Sequence, residues 1–214
     1  MATILTVAEL WQSADPAVWD AALKRYWLFV QPGNLALEQK LDQLDLNRIR
    51  ELDAQGWYDF LRTEYFVWKY AGSRWLKQNL AYLERHYTDP QGSETLDSVR
   101  QRLLGIDPSD IRGGLSAKHK IRGLGTAGAS GLLSLMYPAT FATVDQFVVK
   151  ALMDVSGLPE AASLARMKPD DLTPSQGVVL IGIMSRKAME NNQLFGTTTW
   201  TPRKIDQVLW TYGR

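Results

Sequence analysis

The sequence predicts an all-helical protein, and three observations support this prediction. Apolar residues recur at helical spacing along most of the 214-residue chain, whereas strand-like alternation is scarce. Glycine- and proline-containing breaks divide the chain into short periodic segments. Helix-capping side chains stand near prolines suited to a first helical turn, in the stretches Ser13-Ala-Asp15-Pro16, Asp107-Pro108-Ser109-Asp110 and Thr173-Pro174-Ser175-Gln176. We expect about nine to eleven helices and no substantial sheet.

The helical segments form two groups along the chain. Residues 11–87 contain six of the eight tryptophans, whereas residues 96–183 are rich in glycine, alanine and leucine. A polar break from Asp89 to Glu94 separates the two groups. We therefore expect residues 1–214 to form one compact unit with an N-terminal aromatic-rich lobe (1–90), a second lobe (95–214) and a cleft between them.

Composition excludes several classes of site. The chain has 24 Lys+Arg against 23 Asp+Glu, so any basic surface must be local. It has no cysteine and two histidines, which excludes disulfides, iron–sulfur clusters and thiolate zinc sites. We expect no metal and no other cofactor. The N-terminus lacks a signal-peptide pattern, and the longest apolar stretch is far below the ~18 residues of a membrane span. We therefore expect a cytoplasmic protein without a membrane partner.

One segment is locally basic. Residues 112–144 contain no acid, and their fixed cations are Arg112, Lys118, Lys120 and Arg122. Gly123-x-Gly125-x-x-Gly128 matches a dinucleotide-binding fingerprint, but no buried strand precedes the glycines, so we reject that interpretation.

The same segment favours a helix-hairpin-helix. One helix would run into Gly123-Leu124-Gly125, and a second would begin at about Thr126 with its N–H groups directed at a phosphate. An ordinary tight turn between two helices is the alternative. The predicted DNA contacts are Lys118, Lys120, Arg122, Gly123, Leu124, Gly125, Thr126 and Gln146.

Two stretches carry a family resemblance. Ile121-Arg-Gly-Leu-Gly-Thr-Ala-Gly-Ala-Ser130, followed by Phe141-Ala-Thr-Val-Asp145, resembles the helix-hairpin-helix DNA glycosylase superfamily. The closing segment 205–213 is similar to the last helix of small members, and the resemblance covers about residues 95–214. It implies a two-lobed helical fold with duplex DNA across the cleft, and a monomer located at the nucleoid. Its substrate would be a damaged purine, oxidised or alkylated, or a hypermodified cytosine of phage DNA, the latter in anti-phage defence.

The resemblance also implies catalytic roles. Asp145 matches the aspartate that stabilises the cationic sugar, although its position also suits a helix N-cap. Ala127 stands where bifunctional members carry a nucleophilic lysine, so we expect a monofunctional enzyme that leaves an abasic site. Lys120 or Lys118 could supply the missing amine.

A pocket for the extruded base is predicted from aromatic residues. Tyr65, Trp68 and Lys69 share one helix face, and Trp210 is a further candidate, although aromatic stripes at this spacing are more often core. Two other functions remain open. One is a non-catalytic DNA-binding hairpin module, which would not need Asp145. The other is a helical interaction protein, which would not need the cations beside the glycines.

Overall fold

A computed structural model describes residues 5–91, 93–116 and 120–214, and every regular element in these ranges is helical. This confirms the predicted all-helical class. The helices are α1 (Val7–Gln12), α2 (Pro16–Phe29), α3 (Pro32–Asp42), α4 (Leu46–Glu51), α5 (Ala54–Phe60), α6 (Phe66–Lys69), α7 (Leu76–Thr88), α8 (Leu96–Leu104), α9 (Ile111–Gly114), α10 (Thr126–Met136), α11 (Gln146–Met153), α12 (Ala161–Leu164), α13 (Pro174–Phe195) and α14 (Pro202–Gly213). They exceed the predicted number because α6, α9 and α12 are single turns of four residues.

Two of the three predicted helix starts are found in place. Asp15 accepts a hydrogen bond from the Ala17 N–H, and Thr173 accepts one from the Gln176 N–H. In the third stretch, Asp107-Pro108-Ser109-Asp110, the cap is Asp110, which begins α9. Pro108 lies in the turn before this helix and not in its first turn, and Asp107 accepts from the Ser109 N–H in the same turn.

A π-helical segment joins α5 to α6. Residues Leu61–Tyr65 have π geometry, so the chain stays helical from Ala54 to Lys69. The Tyr65 side chain is fully buried, and its hydroxyl donates to the Gly128 carbonyl oxygen of α10. This contact fixes the end of α6, which carries Trp68 and Lys69, against α10.

The buried apolar side chains form one contiguous cluster. Helix α14 packs against α2, α11 and α13, so early and late parts of the chain lie side by side. Trp19 of α2 also makes an edge-to-face contact with Trp200, which lies between α13 and α14, with 5.4 Å between the ring centroids. The division into two lobes stays a prediction. None of the helices in the described ranges has the length and apolar character needed to span a membrane.

Candidate functional site

A cavity of about 310 Å³ lies where the end of α2, α3, α6, the start of α11 and α14 meet. Its volume is at the lower end of the range for small-molecule sites. Aromatic side chains and ionisable groups share its wall. The lining residues are Tyr26, Phe29, Val30, Gln31, Asn34, Glu38, Trp68, Lys69, Ala71, Thr143, Asp145, Phe147, Val148, Arg203, Asp206, Trp210 and Arg214.

Asp145 caps α11 and also faces the cavity. Its Oδ1 accepts hydrogen bonds from the N–H groups of Phe147 (3.0 Å) and Val148 (3.2 Å). Its Oδ2 lies 3.8 Å from the Lys69 ammonium nitrogen. The helix therefore occupies one carboxylate oxygen, and the other remains available on the cavity side. The capping interpretation and a chemical role are compatible.

Lys69 is the cation nearest to this carboxylate. It ends α6, its side chain is 11% exposed, and its ammonium lies 5.9 Å from the Trp68 ring centroid. Burial lowers the pKa of Lys69, whereas the Asp145 carboxylate opposes this shift. A buried amine with a lowered pKa can give up a proton more easily than a lysine in water.

A buried ionic network lies beside the pair. The Arg203 guanidinium contacts Asp206 Oδ1 (2.8 Å) and Glu38 Oε1 (3.3 Å). The Tyr26 hydroxyl and the Trp68 indole N–H each donate to Glu38 at 2.5 Å. Because buried charges are stable only when they are paired and hydrogen-bonded, this network holds the cavity wall in one arrangement.

Asp206 links the network to the segment before Asp145. Its Oδ2 accepts from the Thr143 N–H at 2.6 Å, and Thr143 lies two residues before Asp145. Burial raises the pKa of Asp206 to about 7, against the opposing effects of the Arg203 guanidinium and the Thr143 N–H. The protonation state of Asp206 therefore changes near neutral pH.

Sequence reasoning did not identify Glu38, Arg203 or Asp206. Arg203 and Asp206 are spaced i,i+3 on α14, a spacing that also occurs on solvated helix faces. Glu38 is 165 residues from Arg203, so nothing local in the sequence could join them. The available signal in the sequence was that Arg203 and Asp206 interrupt the apolar face of the amphipathic last helix.

The residues predicted to form the base pocket are divided between the cavity and the core. Trp68, Lys69 and Trp210 line the cavity. The Trp210 ring makes edge-to-face contacts with Tyr26 (5.6 Å) and Phe147 (5.9 Å). Tyr65 lies behind the wall, since it is fully buried and bonded to α10.

The predicted hairpin is a turn followed by a helix. Helix α10 begins at Thr126 with Gly125 as its N-cap, as predicted. The prediction that a helix runs into the glycines was wrong, because α9 ends at Gly114 and residues 120–125 are not helical. A hydrogen bond from the Leu124 N–H to the Ile121 carbonyl closes the turn.

Gly123 has a structural reason to be glycine. Its φ is +90°, and an added Cβ would lie 2.9 Å from the Asn79 carbonyl oxygen of α7. The Tyr70 hydroxyl also donates to the Gly123 carbonyl at 2.6 Å. The turn is therefore held tightly against α6 and α7.

The predicted DNA-contact side chains have different environments. The Arg122 guanidinium donates to the Pro90 carbonyl (2.7 Å) and to Ser93 Oγ (3.1 Å), so it holds the preceding loop. Lys120 and Gln146 are exposed, and Lys120 is not among the cavity-lining residues. Lys118 lies outside the described residues.

Helix α10 connects the turn to the cavity. Gly131 allows a close approach, because an added Cβ there would lie 3.4 Å from the Trp68 ring and 3.5 Å from Lys69 Cδ. Gly125 and Gly131 are six residues apart, which is about 9 Å along a helix axis. Helix α10 therefore links the turn at its N-terminus to the part of the cavity wall that carries Lys69.

Fold and site together define an all-helical protein with a cavity lined by aromatic and ionisable side chains. No family model matches the chain, and comparison with curated proteins and with solved structures also found no match.

Proposed function

We propose that the protein is a DNA N-glycosylase that accepts an extruded modified base in the cavity and hydrolyses its N-glycosidic bond. The observation that carries the proposal is the position of the Asp145 carboxylate, beside Lys69 in an aromatic-walled cavity. An unstacked base needs aromatic surfaces and polar edge contacts, and these walls offer both.

Asp145 is the group that faces the sugar. Bond cleavage creates positive charge on the deoxyribose, which Oδ2, the oxygen that does not cap α11, would stabilise. A water adds to C1′ and loses a proton to the carboxylate, while the glycosidic bond breaks and the base leaves with the bonding electrons. The products are a free base and an abasic site.

Lys69 is placed to assist the departing base. The base gains negative charge as the bond breaks, and a lysine whose pKa is lowered by burial is a suitable proton donor. In this scheme Lys69 donates a proton and does not attack C1′. Lys120, the amine suggested by sequence, is exposed at the turn and is assigned to phosphate instead.

The turn before α10 supplies a contact with the DNA backbone. Gly125 has no side-chain cap, it is exposed, and an added Cβ would meet no atom within 4 Å. The backbone there is open to a phosphate, and Lys120 adds sequence-independent attraction. The substrate is a damaged purine or a hypermodified cytosine of phage DNA.

The test is an abasic-site assay. Wild-type protein and Asp145→Asn are incubated with duplexes carrying oxidised or alkylated purines and with phage DNA carrying hypermodified cytosine. Strand breaks that require alkali and wild-type Asp145 support the proposal and name the substrate. Salt-sensitive DNA binding without breaks on any of these substrates would favour the non-catalytic hairpin module.

A borohydride reaction tests whether Lys69 donates a proton or attacks C1′. Hydrolysis by water predicts no covalent protein–DNA adduct when borohydride is added during turnover. An adduct that forms with wild-type protein and disappears in Lys69→Met would show that the amine attacks C1′.

A further inference from the structure

The segment that carries Asp145 to the cavity lies outside any helix. Residues 141–145 connect the turn after α10 to the start of α11, so no helical ladder of hydrogen bonds fixes their backbone. Residues 141–144 are nevertheless buried. Buried N–H groups need acceptors, and in a segment without a ladder these acceptors decide the path of the chain. The place of the Asp145 carboxylate therefore depends on the groups that hold residues 143 and 144.

Two residues of α14 hold Thr143 at both its backbone and its side chain. Asp206 Oδ2 accepts from the Thr143 N–H at 2.6 Å, and Arg203 Nη1 donates to Thr143 Oγ1 at 3.2 Å. Arg203 and Asp206 also pair with each other, with 2.8 Å between Nη1 and Oδ1. We call Arg203 and Asp206 the α14 clamp. Because the clamp holds one residue at two points, it fixes both the position and the rotation of the chain just before Asp145.

The surroundings of the α14 clamp leave it little freedom. Arg203 and Asp206 are 5% and 3% exposed, and Arg203 Nη2 also lies 3.3 Å from Glu38 Oε1 of α3. The next residue along the chain is held from α10, since the Val144 N–H donates to Ser130 Oγ at 3.0 Å. Three helices therefore converge on the two residues that precede Asp145.

The charges of the α14 clamp are a weak source of stability. Burial raises the pKa of Asp206 to about 7 even beside Arg203, so the attraction does not offset the loss of water around the carboxylate. Apolar side chains of similar volume often stabilise a core as well as a buried ion pair does. They cannot, however, direct hydrogen bonds to one N–H and one hydroxyl. The clamp is therefore suited to placing the chain rather than to stabilising it.

We propose that the α14 clamp positions Asp145 for base excision, with Arg203 and Asp206 acting through Thr143 as positioning residues. This inference rests on the proposed function, in which the Asp145 carboxylate faces the sugar. A misplacement of about 1 Å at a reacting centre can lower a rate by about a hundredfold. The clamp therefore acts on the rate of bond cleavage and not on the affinity for DNA.

Thr143→Val tests the α14 clamp without changing a charge. It removes the hydroxyl that accepts from Arg203 and keeps a β-branched side chain. Arg203 Nη1 retains Asp206, and Ser134 Oγ, the other partner of this hydroxyl, retains the Gly131 carbonyl at 2.8 Å. These two groups each keep a partner, so the variant is expected to fold. Thr143→Ser keeps the hydroxyl and is the matched conservative variant.

The first measurement reports on the Lys69–Asp145 pair in the free protein. NMR of protein with ¹³C-labelled lysine Cε follows the titration of the Lys69 amine, whose signal is assigned by its loss in Lys69→Met. The Asp145 carboxylate raises the pKa of Lys69 against the effect of burial, so Asp145→Asn is expected to lower it. Thr143→Val is expected to lower this pKa by at least half as much, and Thr143→Ser to restore most of the wild-type value. An unchanged pKa in Thr143→Val would show that the clamp does not place Asp145.

The second measurement separates the rate of excision from the affinity for DNA. Single-turnover excision and binding are measured on the oxidised-purine, alkylated-purine and phage-DNA substrates of the abasic-site assay. Thr143→Val is expected to lower the maximal rate about tenfold and to leave the affinity within about twofold of wild type. Arg203→Lys keeps the charge but lacks the planar fork that reaches several acceptors, and it is expected to act in the same direction.

Asp97→Asn is the matched control. It breaks another i,i+3 pair with a buried arginine, Arg100–Asp97, in which neither residue lines the cavity. This variant is expected to lower the unfolding midpoint in urea while the maximal excision rate and the pKa of Lys69 stay at their wild-type values.

The outcomes separate the two proposals. Equal maximal rates for Thr143→Val and wild type would end the role of the clamp in excision, while the proposed function stands. A parallel loss of rate and affinity in Thr143→Val, without recovery in Thr143→Ser, would show that the clamp only supports the fold. If wild-type protein excises no base from these substrates, the proposed function and the role in excision both fail, and the NMR titration alone decides whether the clamp places Asp145.

Discussion

The Lys69 ammonium nitrogen lies 3.8 Å from Oδ2 of Asp145, although these residues belong to α6 and to the cap of α11. Helix α10 brings them together, since its Gly131 admits the Lys69 stem and its Ser130 hydroxyl accepts from the Val144 N–H at 3.0 Å. The pair therefore depends on small side chains in the middle of α10.

Asp145→Asn is expected to abolish base excision. An asparagine oxygen still caps α11, so the protein should stay folded and its DNA affinity should stay within a few-fold of wild type. The variant loses the negative charge that would face the sugar. Excision is measured as alkali-dependent strand breaks, and affinity by fluorescence anisotropy. Asp15→Asn, at the cap of α2, is the control for a capping change. Normal excision by Asp145→Asn would contradict the assigned role.

Lys69→Met is expected to lower the excision rate by about a hundredfold. Methionine keeps much of the apolar stem but cannot donate a proton to the departing base. Lys150→Met is the control, because Lys150 is an exposed lysine on α11 with its ammonium near the Phe147 ring. Single-turnover rates of the two variants should differ. Equal rates would show that Lys69 only supports the wall.

Asp206→Asn is expected to flatten the pH dependence of stability. Folding raises the pKa of Asp206 from about 4 to about 7. Between these values the folded state holds a proton that the unfolded state has lost. Wild-type stability should therefore fall as pH rises through this interval, by at most about 1.4 kcal/mol per pH unit from this group. Urea unfolding at pH 4 to 8 measures the slope, and identical slopes for both proteins would refute the prediction.

Gly123→Ala is expected to destabilise the fold by about 1–3 kcal/mol, because its φ is +90° and the new Cβ would press on the Asn79 carbonyl. Gly125→Ala provides the matched comparison. Its φ is −80° and its Cβ would meet open space, so the cost should stay below about 1 kcal/mol. Urea midpoints compare the two, and similar losses would mean that the turn does not depend on Gly123.

Lys120→Ala is expected to weaken DNA binding equally for all sequences. An exposed lysine on phosphate acts through counterion release, so the log–log salt slope should decrease by about one. Lys168→Ala, at another exposed lysine, is the comparison. A preserved salt slope in Lys120→Ala would take Lys120 out of the interface.

Local signals in the sequence were sufficient for the helical class, the start of α10 and the cap at Asp145, because periodicity and capping act over a few residues. Among the described residues before Gly123, 115–116 and 120–122, the expected helix was not found. The short α9 stops at Gly114, where an added Cβ would overlap the Phe141 ring, a contact that sequence alone does not reveal.

Long-range pairing was beyond the reach of sequence patterns. Sequence offered Lys120 or Lys118 as a possible amine because both precede the glycines, whereas Lys69 is the amine beside Asp145 in the structure. The Glu38–Arg203 contact spans 165 residues, and a single chain without an alignment gives no means of joining such positions. Packing decides these contacts, and the sequence only supplies the candidates.

The pairing of Glu38 on α3 with Arg203 on α14 has a consequence for biosynthesis. Glu38 is translated long before Arg203, Asp206 and Trp210, and the cavity wall needs all of them. A nascent chain still lacking α14 therefore lacks part of the cavity wall, and closing so long a loop carries an entropic cost. The cavity can therefore be completed only after α14 has been synthesised.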